Sequence, residues 1–375
     1  MGLYLALIAA NLIVGYSLNV NSNRRKRKYF CIFSAIILIF FAAMRDVSVG
    51  TDTSIFCSSY ETIIQNDWAY YTVISDRYEF GFFALCKILG YISLSPQILV
   101  IFTSICIISA IYYLIYKNSE DPVLSIIIFI GFQYYASALN LMRQMLALAV
   151  LIIGYQKILK KRKYVLYVIF CLIASLFHKS AIIGVILVLP YIFNAKDIQG
   201  AILFFGLIFF LFLDSIFSFI ANLVGYEQYL GSQFDTPNYF ASVINFILFF
   251  AIYLFAIFNF KPSRRCRHDS KYEYKKGRGV VLLADQVDNS QLIAIMSIAI
   301  VFSFLSIRSI IFERVGLYFQ VFIILLIPNI ISTLCNSKRQ FYKVLIITVA
   351  IAYCVIVLTF RPEWTNVVPY KFFWE

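Results

Sequence analysis

The sequence predicts an all-α polytopic membrane protein with about twelve transmembrane helices. Three observations lead to this fold class. Of the 375 residues, 62% are hydrophobic and only 14% are charged, whereas soluble domains carry roughly a quarter charged residues. Apolar runs long enough to cross about 30 Å of hydrocarbon recur along the whole chain. Basic residues collect in short connections between these runs, so we expect one integral membrane domain over residues 1–375.

Each predicted span is an apolar stretch that ends at polar or charged residues. In the first, basic residues follow the apolar run, which is typical of a transmembrane helix rather than a cleaved signal peptide. Several others have only about 14 to 17 residues, which suits helices deep in a bundle or a locally thinned bilayer. The predicted spans are 3–20, 29–44, 97–116, 123–137, 139–159, 164–177, 180–194, 199–221, 241–260, 291–307, 315–334 and 344–360.

The distribution of positive charge predicts the orientation of these spans. Four connections are strongly basic, namely 24–28, 160–163, 261–278 and 338–343. If the first helix ends on the inner side, the later crossings bring all four clusters to that side, and both chain ends lie outside. This pattern accounts for the net charge of +13 without nucleic acid, and leaves membrane lipids as the expected partners of the basic clusters.

Residues 80–94 are apolar but short, and they contain Lys87 and two glycines. A full crossing here would invert every later span and move 160–163 to the outer side. We therefore predict a re-entrant or interfacial helix packed against the bundle, near an outer cavity. Longer connections are predicted as outer loops at 45–82 and 222–240 and as an inner basic loop at 261–290.

The sequence lacks the common motifs of metal and nucleotide chemistry. Its eight cysteines show no metal-ligand spacing, and most lie inside apolar runs as small hydrophobic residues. It has no P-loop, dinucleotide fingerprint, HExxH or GxSxG motif. An Asp-x-Asp signature of enzymes that use sugar nucleotides is also missing. We expect no metal and no cofactor.

A second set of polar residues is predicted on the outer side, opposite the basic clusters. A charge at membrane depth usually faces a cavity or a partner, which makes Arg143 the strongest candidate. The alternatives for Arg143 are a guanidinium that reaches the lipid head groups or a pair with Glu79. Guanidinium forks match phosphate oxygens, so several arginines on one side suit a diphosphate. The predicted diphosphate or substrate contacts are Arg45, Arg143, Gln144, Arg308 and Arg314.

Three residues of this outer set could act as a catalytic base. The aromatic neighbours of Glu79 predict a raised pKa, although a salt bridge to an arginine is the alternative. Asp52 follows a Gly-Thr pair and could equally cap a helix. His178 lies at a predicted helix–helix turn, whereas His268 lies in the inner basic loop. The sequence leaves His178 and Glu79 nearly equal as the base.

The order of these motifs resembles the EpsG-like family, which comprises Wzy-type polymerases of bacterial O-antigen and other exported polysaccharides. The resemblance extends over nearly the whole chain. The motifs that carry it are Arg45 with Gly50-Thr51-Asp52, Glu79-x-Gly81-Phe82, Arg143-Gln144, His178-Lys179-Ser180-Ala181, Glu313-Arg314 with Tyr318-Phe319, and Pro369-Tyr370.

The resemblance implies a reaction, an architecture and a location. Such polymerases transfer a growing glycan from undecaprenyl diphosphate to a hydroxyl of a fresh lipid-linked oligosaccharide repeat unit. They act at the periplasmic face of the bacterial inner membrane, and a chain-length regulator is a further partner to consider. A GT-C-like helical architecture without metal is also implied. Arginines would then stabilise the charge that develops on the leaving diphosphate.

Three other functions fit parts of the same pattern. A flippase for lipid-linked oligosaccharides should show two similar halves and polar residues on both sides, which this chain does not show clearly. An O-antigen ligase shares the donor chemistry, so the sequence separates it poorly from a polymerase. A membrane O-acyltransferase fits less well, because its histidine faces a cytosolic acyl donor and His178 is predicted on the other side.

Overall fold

The computed structural model describes residues 1–213, 239–260 and 289–375. Within these ranges the chain is helical, and an isolated β-bridge between Arg45 and Phe372 is the one extended pairing. The predicted loops at 222–240 and 261–290 lie almost entirely outside the described residues.

The described helices are mostly long and apolar, and they follow each other through short connections. In chain order they are α1 (Gly2–Ser17), α2 (Arg24–Ala43), α3 (Thr53–Gln65), α4 (Tyr71–Ile74), α5 (Phe80–Gly90), α6 (Gln97–Asn118), α7 (Pro122–Gly131), α8 (Tyr134–Asn140), α9 (Met142–Lys157), α10 (Tyr164–Ser175), α11 (Leu189–Ile192), α12 (Ala195–Leu211), α13 (Tyr239–Asn259), α14 (Asn289–Leu305), α15 (Ile311–Gln320), α16 (Ile323–Ser332) and α17 (Asn336–Phe360).

The chain divides into two compact units. The first comprises Met1–Val188 with Gln340–Glu375, and the second comprises Leu189–Arg339. In the second unit, α14 is almost fully buried and packs against α12, α13 and α15. The single membrane domain expected from the sequence stays a prediction.

The chain is a multi-pass membrane protein. In the described part, four helices are long and apolar enough to cross a membrane, namely α6, α9 with the turn that follows it, α13 and α17. The number rises to six if the bent pairs α7–α8 and α15–α16 each form one span. Where the structure describes the predicted spans they are largely helical, but the number twelve is not confirmed. Most of the remaining helices have fewer than 18 residues, and α2 begins with five basic ones.

Two of the predicted spans are broken helices. The predicted span 123–137 is bent by 57° between α7 and α8, where Gln133 adopts a φ of 65°. The predicted span 315–334 is bent by 42° between α15 and α16. A third, 180–194, is a 3-10 helix at Lys179–Val188 that continues into α11. Hydropathy detects the apolar length of such segments, but not a local change in backbone direction.

Helix α6 defines the two ends of the first unit. Its 22 residues span about 33 Å. At its first residue, Gln97 donates a hydrogen bond to the Ala43 carbonyl at the end of α2, at 2.6 Å. Beyond its last residue, the carbonyls of Ser119 and Glu120 accept hydrogen bonds from Arg27 at the start of α2, both at 3.0 Å. Helices α2 and α6 are therefore antiparallel.

Residues from three predicted inner clusters meet at the carboxyl end of α6. Besides Arg27, Lys160 donates to the Asn118 side chain at 2.8 Å, and Lys343 pairs with the Asp121 carboxylate at 2.5 Å. The prediction that these three clusters share one side is confirmed within the first unit, which we call the basic end. The fourth cluster lies outside the described residues.

The opposite end of α6 carries a small helical layer where the sequence predicted the outer loop 45–82. Helices α3 and α5 enclose an apolar core in which Tyr60, Phe82 and Phe83 are fully buried. The predicted loop thus contains the helices α3 and α4, and its outer location stays a prediction. The sequence does contain a helical pattern, because Phe56, Tyr60 and Ile63 are spaced as on one face of a helix. The many tyrosine and serine residues of the segment favoured a loop instead.

Helix α5 occupies the first part of the stretch predicted as re-entrant or interfacial. Its 11 residues rise only about 16 Å, roughly half the thickness of the hydrocarbon core. Its Lys87 is buried and donates to the Asn66 carbonyl. The prediction that this stretch is no complete span is confirmed by its length.

Candidate functional site

Glu79 lies at the centre of a charged cluster in the first unit. It is the residue immediately before α5, and its side chain is 9% exposed. One carboxylate oxygen pairs with Arg143 Nη1 at 2.5 Å. The other accepts a hydrogen bond from the Lys179 backbone N–H at 2.9 Å and lies 3.3 Å from His178 Nδ1. The structure thus brings together Glu79, Arg143 and His178, three of the residues selected from the sequence.

Arg143 is held by aromatic rings as well as by Glu79. It occupies the second position of α9, and its guanidinium carbon lies 4.9 Å from the Tyr78 ring centre. The Phe56 and Phe82 rings lie 5.5 and 5.8 Å away. Cation–π contacts of this kind favour a fixed orientation of the guanidinium. The Arg143 side chain is 19% exposed, so it is partly open to a ligand.

A close backbone approach brings His178 to Glu79. The N–H of Gly81, in the first turn of α5, donates to the Leu176 carbonyl at 2.8 Å. A Cβ atom on Gly81 would lie only 2.6 Å from that oxygen, so the contact requires glycine. The turn between α10 and the 3-10 helix is therefore docked on the start of α5. His178 follows in that turn and remains 24% exposed.

The pKa of Glu79 is lowered, which contradicts the expectation of a raised value. Burial alone raises the pKa of this carboxyl group. The His178 imidazole, the Arg143 guanidinium and the Lys179 N–H outweigh burial and lower the pKa to about 2. The alternative weighed from the sequence, a salt bridge to arginine, is the one observed. A carboxylate with such a low pKa is a poor proton acceptor and a good permanent negative charge.

Arg45 is internal, contrary to the expectation of a ligand contact. Its side chain is 1% exposed. Its guanidinium donates to the Ala42 carbonyl, to the Ser104 hydroxyl at 3.1 Å and to the Leu139 carbonyl at 2.9 Å. These contacts join α2, α6 and α8. We therefore correct the assignment, because Arg45 supports the fold at the site end and is enclosed by protein.

The Gly50-Thr51-Asp52 motif forms a turn against the end of α8. Gly50 has a φ of +102°, and a Cβ atom there would lie 2.9 Å from the Asn140 side-chain oxygen. That oxygen accepts a hydrogen bond from the Thr51 N–H. Asn140 in turn donates to the Thr365 carbonyl at 2.8 Å. The glycine is required both by the left-handed backbone and by this close approach.

The segment after α17 folds back over the site end of the first unit. Its Tyr370 hydroxyl donates to the Phe41 carbonyl at 2.7 Å, and the Asp46 N–H donates to the Lys371 carbonyl at 2.9 Å. The Arg45–Phe372 bridge belongs to the same contact. Arg45 and the Pro369-Tyr370 pair therefore lie at the same end of the first unit although they are far apart in sequence.

The remaining candidates from the first unit are Asp52 and Gln144. Asp52 precedes α3 and accepts a hydrogen bond from its neighbour Thr51 at 3.1 Å. The alternative role considered from the sequence was a helix cap, but the Asp52 side chain makes no capping hydrogen bond to α3. Gln144 is only 4% exposed within α9. Asp52 has no described hydrogen bond or ion pair with Glu79 or His178.

Arg308 and Arg314 belong to the second unit. Both are exposed, and the Arg308 guanidinium lies 5.4 Å from the Phe210 ring centre. Glu313, next to Arg314 in α15, accepts a hydrogen bond from Asn245 at 2.9 Å. The contribution of these arginines to a diphosphate site stays a prediction.

One contributor to the charged cluster was missed in the sequence. The Lys179 N–H is a backbone group, so no residue pattern marks its role. Asn140 was also not selected, and it joins the Gly50-Thr51 turn to the Thr365 carbonyl. Among the described residues no group of three His, Cys, Asp or Glu side chains could hold a metal ion.

The protein is thus a helical multi-pass membrane protein with a His–Glu–Arg cluster in its first unit. The cluster lies at the end of that unit opposite the basic end. The EpsG family model matches residues 28–372, which is nearly the whole chain. The chain therefore belongs to the EpsG family, a family of Wzy-like polymerases. No curated protein and no solved structure matches the chain.

Proposed function

We propose that the protein polymerises oligosaccharide repeat units carried on undecaprenyl diphosphate into O-antigen or a related surface polysaccharide. The reaction would take place at the periplasmic face of the bacterial inner membrane. Family membership supports a polymerase. The observation that carries the proposed chemistry is the 3.3 Å approach of His178 Nδ1 to one oxygen of the Glu79 carboxylate, with Arg143 on the other oxygen.

In this reaction His178 is the base. Glu79 faces Nδ1, which leaves Nε2 as the nitrogen that takes the proton from the acceptor sugar hydroxyl. The hydroxyl oxygen then attacks the anomeric carbon of the growing chain, and the bond from that carbon to the diphosphate breaks. The diphosphate leaves with the bonding electrons and remains attached to its lipid. The Glu79 carboxylate stabilises the imidazolium that forms, as in other carboxylate–histidine pairs.

The leaving diphosphate needs positive charge, and Arg143 is the cluster residue that can supply it. Its Nη1 is occupied by Glu79, but the side chain keeps 19% of its surface exposed. Fixed donors directed at developing negative charge lower the barrier without reorganisation. Arg45 is left out of this proposal because it is enclosed by carbonyl and hydroxyl groups.

Surface-glycan ladders test this function directly. A deletion strain is complemented with the wild type, with His178→Ala or with His268→Ala, and protein abundance is measured in each strain. His268 is the other of the two histidines and serves as the matched control. We expect His178→Ala to remove the long chains and leave glycan of a single repeat unit, whereas His268→Ala gives a normal ladder.

Two results would contradict the proposal. A normal ladder from His178→Ala at normal abundance would remove His178 as the base. Loss of all surface glycan in the deletion strain, with accumulation of lipid-linked repeat units, would indicate a flippase or a ligase instead of a polymerase.

A further inference from the structure

A cleft of about 390 Å³ opens between α3 and the chain segment that leads to Glu79. One wall is a face of α3 with hydroxyl side chains at Ser54, Ser58 and Thr62, which are spaced by four residues and so lie on one side of the helix. The other wall carries Tyr70 and Arg77. The volume lies within the range of about 300–1,000 Å³ that is typical of small-molecule sites.

The cleft adjoins the charged cluster through Tyr78. The Tyr78 hydroxyl shares a hydrogen bond of 2.5 Å with Ser59, and both residues line the cleft. The ring of Tyr78 lies under the Arg143 guanidinium, and Arg143 Nη1 also donates to the Arg77 carbonyl at 3.3 Å. A molecule in the cleft would therefore lie next to the proposed reacting groups.

The chemistry of the walls favours a saccharide. Serine and threonine hydroxyls both donate and accept hydrogen bonds, as sugar hydroxyls do. Tyrosine offers an apolar ring with a polar tip, which suits a ligand with alternating C–H and O–H groups. Among the described lining residues Arg77 is the only charged one. A free diphosphate would need more positive charge, and an acyl chain would need a more apolar channel.

We propose that this cleft is a glycan-binding subsite that holds sugar residues next to the His178–Glu79–Arg143 cluster. The inference rests on the proposed polymerase function for the identity of the saccharide. Two sources have the same chemistry, the acceptor repeat unit and the growing chain. Neither the carrier lipid nor its diphosphate is needed for this contact, so the free glycan should bind.

Binding of free glycan to the full-length protein in lipid nanodiscs tests the subsite. The probe is the repeat-unit oligosaccharide released from the host's own surface polysaccharide, labelled at its reducing end and followed by fluorescence anisotropy. Ser58→Phe fills the cleft from an exposed position, and Arg77→Met removes the charge. Gln65→Phe is the matched control, since Gln65 is an exposed residue of α3 that does not line the cleft.

We expect saturable binding to the wild type and to Gln65→Phe. Ser58→Phe should weaken binding about tenfold or more, and Arg77→Met should weaken it about fivefold. A second titration with unlabelled polymer as competitor distinguishes the sources. A long chain that competes far better than one repeat unit indicates the growing chain, and equal competition for each repeat unit indicates the acceptor.

The proposal is overturned if the wild type shows no saturable binding. It is also overturned if Ser58→Phe, with an unchanged melting temperature, binds as the wild type does. His178→Ala separates this result from the proposed function, because it should bind glycan normally while long chains are lost. Normal chains from His178→Ala together with intact binding would refute the base and leave the subsite standing. Loss of long chains in His178→Ala, together with no glycan binding to the wild type, would refute the subsite and leave the base standing.

Discussion

Glu79 shows how one side chain can decide the roles of its neighbours. Arg143 pairs with one carboxylate oxygen of Glu79, and His178 lies beside the other. The guanidinium and the imidazole therefore share one negative charge. The pair is largely shielded, since Arg143 is 19% and Glu79 is 9% exposed. An ion pair in such surroundings is screened less than one at the surface, and loss of one partner leaves an uncompensated charge.

Substitution of Glu79 by glutamine should lower both stability and activity. The change keeps the shape but removes the charge opposite Arg143. We expect a loss of about 1–3 kcal/mol in stability, seen as a lower melting temperature, together with loss of long-chain glycan. Glu61→Gln is the control, because Glu61 is an exposed carboxylate of α3. Equal melting temperatures for Glu79→Gln and the wild type would show that the cluster contributes nothing to the fold.

The contribution of Glu79 should depend on pH in a defined direction. Its pKa is lowered in the folded protein from 4.5 to about 2. The stability it provides is therefore fully present above about pH 4.5 and is lost as the pH falls towards 2. We expect the difference in melting temperature between the wild type and Glu79→Gln to stay constant from pH 7 to pH 5 and to shrink below that. A difference that disappears already near pH 6 would contradict the low pKa.

At the scale of elements, the docking of α5 on the turn after α10 brings the cluster together. The two elements are nearly a hundred residues apart in sequence, as the separation of Glu79 and Lys179 shows. Their contact depends on Gly81, whose missing side chain allows the backbone of the turn to approach. The helical layer of α3 and α5 therefore contributes to the site, because Glu79 directly before α5 places its carboxylate beside His178.

Gly81→Ala should separate Glu79 from His178 while the helices stay folded. The added Cβ atom would lie 2.6 Å from the Leu176 carbonyl oxygen, so α5 or the turn has to move. We expect long-chain glycan to be lost or strongly reduced, with only a small change in melting temperature. Gly200→Ala is the control, because nothing lies within 4 Å of its Cβ position in α12. A normal ladder from Gly81→Ala would show that this close contact is dispensable.

At the scale of the whole molecule, charge is segregated between the two ends of the first unit. Arg27, Lys160 and Lys343 meet at the carboxyl end of α6. The Glu79 cluster lies at the other end, with α9 running from Arg143 towards Lys157. Segregation of this kind supports an orientation in which the basic end faces the cytoplasm.

Labelling of single cysteines should reveal that orientation. Glu61→Cys reports on the site end and Lys163→Cys on the basic end, and both residues are exposed. Cys266 and Cys335 are first replaced by serine, since Cys335 is exposed and Cys266 lies in the predicted inner loop. In spheroplasts a membrane-impermeant maleimide should label position 61, and position 163 only after permeabilisation. The reverse pattern would place the proposed chemistry on the cytoplasmic side.

The residue patterns alone were enough to predict the helical membrane class and the common side of three basic clusters. These features depend on local hydropathy and on charge near helix ends, and both are set by residues that are neighbours in the chain. The patterns also selected Glu79, Arg143 and His178. They did not resolve whether Glu79 is a base or an ion-pair partner, since that depends on which groups surround it in space.

Only the tertiary structure decided the environments of the polar residues. Arg45 and Arg143 look alike in sequence, as arginines beside apolar runs, yet one is enclosed by carbonyl groups and the other pairs with a carboxylate. The broken helices, the folded layer at 45–82 and the return of the chain end over Arg45 were likewise decided by packing. The physical reason is that hydropathy and charge near helix ends are local properties. A burial partner, a pKa and a close backbone contact depend on residues that are distant in the chain.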